Sequence, residues 1–114
     1  MNISKSLDKS LPFLRIISKL SFKNRNKILK EVAGEKILFN AFNELAFNTL
    51  NGNLKLNENQ FKKVKQHNKL LENICCTTTR KNKNLQKKYV KQFGGAILPI
   101  LIPALLSALT AVLK

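Results

Sequence analysis

The residues of this chain that could perform acid–base, redox or metal chemistry are few: two cysteines, one histidine and six carboxylates. The carboxylates are scattered, and His67 lies in a lysine-rich stretch without a partner motif, so no catalytic acid–base pair is predicted. Because Cys75 and Cys76 are adjacent, they give neither the ligand spacing of a zinc site nor a disulfide framework. We therefore expect no enzymatic activity, no metal and no cofactor. One alternative stays open, namely redox reactivity or an intermolecular crosslink of these thiols, close to Arg80 and Lys81.

Charge is the strongest signal in the sequence. The 114 residues include 21 Lys and Arg against 6 Asp and Glu, which gives a net charge of +15. An excess of this size predicts a polyanionic partner, either nucleic acid or an anionic membrane. Only Arg15, Arg25 and Arg80 are arginines, and lysines contact phosphates as point charges rather than reading bases in bidentate fashion. We therefore expect binding to nucleic acid to be independent of base sequence.

The length and the opening residues narrow the class of protein further. A chain of 114 residues is enough for one domain, which excludes a Rossmann sheet or a TIM barrel. Lys5, Asp8, Lys9 and Arg15 interrupt the apolar clusters of the first 20 residues. We therefore expect no secretory signal, and synthesis in a reducing, intracellular compartment.

The spacing of apolar residues predicts an all-α fold, a small helical hairpin or bundle with a basic strip and an apolar C-terminal helix. Residues 1–22 form an N-terminal amphipathic segment, in which Ser10 and Pro12 predict the start of a helix. Ser21 is the predicted N-cap of a second helix, which Gly34 ends.

Residues 23–76 contain the clearest pair of helices, which we interpret as a helical hairpin domain. Apolar residues recur at three- and four-residue intervals from 35 to 50, and Asn51-Gly52 provides the turn. Asn57 and Gln60 then predict a capping box for a helix from 58 to about 74. The residues expected in the core of the hairpin are Phe42, Leu45 and Phe61.

Residues 77–95 form a basic strip that ends in Gly-Gly. Its first sixteen residues carry six basic and no acidic side chains, a composition that would be disordered or transiently helical as a free chain. A solvated linker is one interpretation. We favour a strip that neutralises DNA phosphates, with Tyr89 and Phe93 available for stacking on bases. With the lysines of the hairpin, the predicted DNA-binding residues are Lys62, Lys63, Lys65, Lys69, Arg80, Lys81, Lys83, Lys87, Lys88 and Lys91.

Residues 96–114 form a hydrophobic C-terminal tail, in which eighteen uncharged residues precede Lys114. Eighteen is the minimum for a helix that spans a bilayer, and Pro99 and Pro103 should make that helix start late. A tail anchor, an interfacial membrane-active peptide, a buried oligomerisation segment and a segment that is cut off all fit this composition. The residues predicted to contact a membrane are Ile97, Leu98, Pro99, Ile100, Leu101, Ile102, Pro103, Leu105, Leu106 and Leu109.

The join between strip and tail resembles a known family. It reads Gln92-Phe93-Gly94-Gly95-Ala96-Ile97-Leu98-Pro99-Ile100-Leu101-Ile102-Pro103. This is similar to the C-terminal part of the adenovirus late core protein X family, the precursors of the small DNA-condensing mu peptide. There a basic stretch runs into Gly-Gly, followed by Ile-Leu-Pro, a short aliphatic pair, Ile-Pro and an Ala/Leu-rich tail. A similar ending occurs on predicted core proteins of polinton (Maverick) elements and adintoviruses, with a helical hairpin whose turn resembles residues 48–52.

The resemblance implies a virion core protein that binds and condenses double-stranded viral DNA, located in the virion and the host nucleus. It also implies a viral protease as a partner, because the family's cysteine protease cuts after Gly-Gly. The implied cleavage residues are Gly94, Gly95 and Ala96, with the cut after Gly95. Consecutive glycines allow an extended backbone to enter a narrow protease cleft. Four residues before the cut stands Gln92, where the family usually has Met, Ile or Leu.

A second hypothesis is a tail-anchored or membrane-active basic protein of an intracellular membrane. The basic strip would then lie against anionic headgroups while the tail enters the apolar layer. Pro99, Pro103 and the Gly-Gly pair favour the core-protein hypothesis, because a plain anchor has no need of them. Under the first hypothesis the tail either promotes self-association or is removed.

Overall fold

The computed structural model describes the backbone of residues 3–113 and the side chains of residues 3–109, and this part of the chain is built from helices without a strand. The predicted all-α bundle is confirmed. The helices are α1 (Lys5–Ser18), α2 (Phe22–Val32), α3 (Lys36–Leu50), α4 (Glu58–Lys65), α5 (Asn68–Cys75), α6 (Thr77–Arg80), α7 (Lys83–Ala96) and α8 (Leu98–Leu113).

Local side chains set several of these boundaries, as predicted. At the start of α2 the Ser21 hydroxyl accepts a hydrogen bond of 3.3 Å from the Asn24 N–H. At the start of α4 the capping box is complete: the Gln60 N–H donates to the Asn57 side chain at 2.8 Å, and the Asn57 N–H donates to the Gln60 side chain at 2.9 Å. Gly52 turns the chain after α3 with a φ of 71°, which residues with a Cβ rarely adopt.

The first helix begins at Lys5, so the predicted start near Ser10 is wrong. The Ser4 hydroxyl caps α1 by accepting a hydrogen bond from the Leu7 N–H at 3.2 Å. Ser10 is buried inside the helix, and Pro12 lies on its exposed side. The helix continues through the proline because the lost hydrogen bond lies on the side of the helix that faces solvent.

The predicted hairpin is formed by α3 with α5. The Asn43 side chain donates to the Ile74 carbonyl at 2.9 Å, whereas Leu50 shares a cavity with α4. Later residues of α3 therefore meet earlier residues of the returning chain, so the two segments are antiparallel. Phe42 and Leu45 are fully buried between them and the neighbouring helices, as predicted.

The second arm of the hairpin is broken, which corrects the prediction of one helix from 58 to 74. At the break the His67 N–H donates to the Val64 carbonyl, three residues back, at 2.9 Å. This tight turn separates α4 from α5. Phe61 of α4 is 56% exposed, so its predicted place in the core is wrong. Phe61 is exposed because of this break: Leu71 and Ile74 of α5 cover α3, whereas α4 turns away from it.

One hydrophobic core contains residues from all four segments that differ in composition, namely 1–22, 23–76, 77–95 and 96–114. Among its members, α1 contributes Leu14, α3 contributes Phe42, α7 contributes Phe93 and α8 contributes Leu101. The first and the last helix contact each other within this core. The C-terminal segment that composition sets apart therefore packs inside the bundle over residues 96–109, and its remaining side chains, 110–114, lie outside the described residues.

The last helix begins at Leu98, so the late start expected from its prolines is wrong. Pro99 lies in the first turn, where the missing N–H has no helical partner to lose. Pro103 lies further along on the exposed side of α8. The prolines are therefore compatible with a helix that presents its aliphatic side chains to the core.

Candidate nucleic-acid interface

The predicted basic strip is folded into α6 and α7. Asn82 opens α7 by accepting a hydrogen bond from the N–H three residues on, at 3.1 Å. Burial of Phe93 against α3 stabilises a helix that the isolated sequence would form only transiently. The predicted DNA-binding residues are all exposed: Lys62, Lys63, Lys65, Lys69, Arg80, Lys81, Lys83, Lys87, Lys88 and Lys91.

Lysines from three helices meet at one groove, which we call the basic groove. Lys30 of α2, Lys69 of α5 and Lys91 of α7 line it, and none of its lining residues in the described part of the chain is acidic. The sequence-based prediction includes Lys69 and Lys91 but misses Lys30. The available signal was the spacing of Lys23, Lys27 and Lys30, which places three lysines on one side of α2.

The helices α2 and α7, each of which exposes a row of three lysines, pack against each other. On α7, Lys83, Lys87 and Lys91 are four residues apart and share one side. The Lys87 side chain lies against Gly34, just beyond α2: its Cε is 3.0 Å from the position that a Cβ of Gly34 would occupy. Lys30 of α2 and Lys91 of α7 both line the basic groove, so the two rows meet at that point.

The lysines of α4 lie apart from the basic groove. Lys65 lines a second, smaller cavity together with Phe61. Lys62 forms the one salt bridge seen among the described residues, with its Nζ 3.8 Å from Oε1 of Glu58. Both side chains are largely exposed, and such pairs contribute little to stability.

Of the two aromatic residues predicted to stack on bases, only one is accessible. Phe93 is fully buried, with its ring centroid 4.8 Å from that of Phe42, so its predicted availability is wrong. Tyr89 is half-buried and has the Lys88 ammonium 5.5 Å from its ring centroid. Phe22 of α2, at 63% exposure, also reaches solvent, beside the lysines of the basic groove.

Gly94 and Gly95 are helical and buried, in contrast to the extended backbone expected at a protease site. A Cβ on Gly94 would lie 2.6 Å from Cδ1 of Leu29, and one on Gly95 would lie 2.9 Å from Oδ1 of Asn26. The absence of side chains thus allows α7 to pack closely on α2. Cleavage before Ala96, which is half-buried, stays a prediction and would require this end of α7 to open.

Arg25 fastens the end of α7 to α2. Its side chain is buried; Nη1 donates to the Leu20 carbonyl and Nη2 to the Gly95 carbonyl, each at 2.8 Å. Burial lowers the pKa of Arg25 below its ordinary value, although a guanidinium stays charged in proteins. Hydrogen bonds from a charged donor are stronger than neutral ones. The contact holds the Gly-Gly junction in the helix.

The residues predicted to contact a membrane pack largely inside the bundle. Pro103 is exposed; Pro99, Ile100, Leu106 and Leu109 are half-buried. The fully buried members are Ile97, Leu98, Leu101, Ile102 and Leu105.

A search of the described residues for membrane spans finds no individual helix with the length and apolar character to cross a bilayer. The segments Lys83–Ala96 and Leu98–Leu109 meet the criteria of length and composition only as a pair, with a bend of 73° between them.

The two cysteines have different environments. Cys76 is exposed, and hydrogen bonds from the backbone and side chain of Thr78 lower the pKa of its thiol. Burial raises the pKa of Cys75, partly offset by Arg80, and its Sγ lies 3.8 Å from the Asn43 carbonyl. The described chain brings together no group of three or more His, Cys, Asp or Glu side chains that could hold a metal ion.

Comparisons of the chain with protein-family models, with curated proteins and with solved structures give no match. The resemblance to adenovirus-type core proteins therefore depends on the residues of the chain itself, chiefly 92–103.

Proposed function

We propose that this protein binds double-stranded DNA without sequence preference and condenses it as a core protein of a virus-like particle. The observation that carries the proposal is the basic surface of α2 and α7, in which two packed helices each expose a row of three lysines. The rows are Lys23, Lys27 and Lys30 on α2, and Lys83, Lys87 and Lys91 on α7.

The dimensions of these rows suit a nucleic-acid backbone. At a helical rise of about 1.5 Å per residue, each row extends over roughly 10–12 Å. Phosphates follow each other about every 3.4 Å along one strand of the duplex axis, so a row covers three or four of them. Each neutralised phosphate releases condensed counterions, which supplies affinity that is independent of base sequence. Six such contacts, one for each lysine of the two rows, give a slope of log K against log salt of about −5.

A pair of charge-matched variants tests this interface. One replaces four residues of α7 by Gln, namely Lys83, Lys87, Lys88 and Lys91; the control replaces four basic residues of or beside α1 by Gln, namely Lys5, Lys9, Arg15 and Lys19. Both have the same net charge. We expect the α7 variant to reduce the salt slope for a duplex by about 3–4, and the control by less than about 1. Equal losses would assign binding to net charge alone and contradict the interface.

The particle role follows from the resemblance and includes a precursor that is cut after Gly95. Because Arg25 holds the Gly95 carbonyl, we expect an adenovirus-type cysteine protease to cut the folded chain slowly and an Arg25→Met variant faster. Mature particles should contain the 1–95 form, measured by mass spectrometry, and Gly95→Val should stay uncut. Particles that contain only intact chains would contradict the precursor role.

A membrane-active protein is the second candidate, favoured by the bent pair of α7 and α8. Together these helices have the apolar length to enter a bilayer, and the lysines of α7 would lie against anionic headgroups. The aliphatic side chains of α8 would first have to leave the core. Flotation with anionic and neutral vesicles tests this candidate: strong binding to anionic vesicles with exposure of α8 to lipid, and no binding to DNA, would make it the better one.

A further inference from the structure

The basic groove is lined by apolar side chains, which we call its floor, as well as by lysines, which we call its rim. Its lining comes from α2, the α4–α5 turn, α5 and the C-terminal half of α7, and its volume is about 740 Å³. Volumes of 300–1,000 Å³ are typical of small-molecule sites. The lining residues are Phe22, Asn26, Lys30, Gln66, His67, Lys69, Leu70, Asn73, Lys91, Gln92, Gly95 and Ala96.

The floor and the rim would bind two different kinds of chemical group. Phe22, Leu70 and Ala96 offer apolar surface that phosphates cannot use, and Phe22 is 63% exposed. Lys30 and Lys91, with Lys69, place positive charge around this surface without an acidic neighbour in the lining. A ligand that satisfies both has an apolar body and a negative head.

The length of the groove limits the size of that ligand. The lining residues of α2 extend from Phe22 to Lys30 and those of α7 from Lys91 to Ala96, which at about 1.5 Å per residue corresponds to roughly 8–12 Å. A partner helix could lay only two turns in such a groove, far less than the roughly 800 Å² per partner of a stable protein interface. A short alkyl chain matches this length.

We propose that the basic groove binds a small amphipathic anion, an unbranched apolar chain about 10 Å long with a carboxylate at one end. The chain lies on Phe22, Leu70 and Ala96, and the carboxylate is held by the lysines of the rim. The amides of Asn26, Gln66, Asn73 and Gln92 line the same groove and provide hydrogen-bond donors. This inference is independent of DNA binding, because it depends on the floor of the groove.

The single histidine of the chain reports on this site directly. His67 lines the groove, and being the one histidine in the sequence it gives one set of imidazole NMR signals. The probes are octanoate, octanol and octyltrimethylammonium, which share a chain and differ in charge. We expect octanoate to shift the His67 signals saturably, with a dissociation constant at least tenfold lower than that of octanol, and the cation to give no saturable shift.

Two variants and a control locate the binding. Replacing Lys30, Lys69 and Lys91 by Gln should weaken octanoate at least tenfold, whereas the charge-matched control that replaces Lys5, Lys9 and Lys19 by Gln should weaken it less than twofold. Ala96→Phe should occupy part of the floor and weaken octanoate binding at least tenfold while duplex DNA still binds. Circular dichroism of each variant verifies that it is folded.

Several results would overturn the proposal. Equal affinity for octanoate and octanol would show that the rim selects no charge, and equal effects of the two triple variants would place the anion elsewhere. A His67 shift that duplex DNA saturates and octanoate does not produce would assign the groove to nucleic acid. A chain that fails to bind DNA but binds octanoate in the groove would refute the proposed function and leave this inference intact.

Discussion

The close packing of α7 on α2 can be tested at one atom position, by Gly94→Ala. The added Cβ would lie 2.6 Å from Cδ1 and 2.8 Å from Cδ2 of Leu29, closer than real Cβ atoms approach other atoms. Leu29 is fully buried, so its side chain cannot rotate away into solvent. Either α7 moves outward or the core around Leu29 rearranges.

Two opposing terms determine the size of the effect. Gly to Ala within a helix stabilises by about 1 kcal/mol, because alanine loses less backbone entropy on folding. Overpacking a filled core costs about 1–3 kcal/mol. The clash should win, and we expect Gly94→Ala to lower the free energy of unfolding by about 1 kcal/mol. In a Leu29→Ala background the clash is absent, so the same change should stabilise by about 0.5–1 kcal/mol. We therefore predict that Gly94→Ala changes the free energy of unfolding with opposite signs in the two backgrounds.

Urea denaturation followed by circular dichroism measures all four chains of this double-mutant cycle. Gly95→Ala is the matched control, because its nearest neighbour is Oδ1 of the half-buried Asn26, a side chain that can move. It should be close to neutral. If Gly94→Ala stabilises the otherwise unchanged protein as much as it does the Leu29→Ala chain, the two helices are not in close contact and the explanation of Gly-Gly by packing fails.

Three further predictions concern the same region and the thiols. Deleting everything after Gly95 removes five large buried aliphatic side chains worth about 8–15 kcal/mol, comparable to the whole stability of a small domain. The shortened chain should therefore lose its cooperative melting transition, and the 1–95 form of a mature particle would bind DNA as an unfolded polycation, through its charge alone. An unchanged transition would show that α8 is dispensable. Arg25→Met should lower the free energy of unfolding, measured by urea denaturation, by about 2 kcal/mol, because it leaves the Leu20 and Gly95 carbonyls without their donor. An unchanged free energy of unfolding would contradict the buried hydrogen bonds. Iodoacetamide should alkylate Cys76 before Cys75 and from a lower pH, because the pKa of Cys76 is lowered and that of Cys75 is raised. Mass spectrometry of peptides after a short pulse of reagent measures the order. Faster alkylation of Cys75 would contradict the environments described for the two thiols.

What the sequence predicts well is decided by residues within one turn of each other. Ser21 and the pair Asn57 and Gln60 cap helices through hydrogen bonds that span three residues, so their types and spacing are sufficient. Phe61 shows the limit of such reasoning. Its spacing fits a buried face of one long helix, but the turn at residues 66–67 redirects α4, and nothing in the local pattern marks that turn.

At the candidate site, too, local features could be predicted from the sequence and contacts between helices could not. Exposure of Lys83, Lys87 and Lys91 could be predicted from their charge and spacing, since a row of lysines faces water. Their meeting with Lys30 could not, because it depends on α2 packing against α7. The role of Gly94 was equally hidden, since a glycine in a motif shared with a protease site gives no sign that a leucine 65 residues earlier fills the space beside it.

The contact between α1 and α8 limits how early the chain can fold during its synthesis on the ribosome. Leu7 and Leu105 belong to one core, so the fold cannot close until nearly the whole described chain has been synthesised. At about 5–20 residues per second, translation to residue 105 takes roughly 5–20 s. Throughout that time a strongly basic nascent chain is held beside ribosomal RNA with its aliphatic side chains uncovered. The bundle therefore cannot close before residue 105 has been synthesised, and chaperones that cover apolar segments would have several seconds in which to bind the chain.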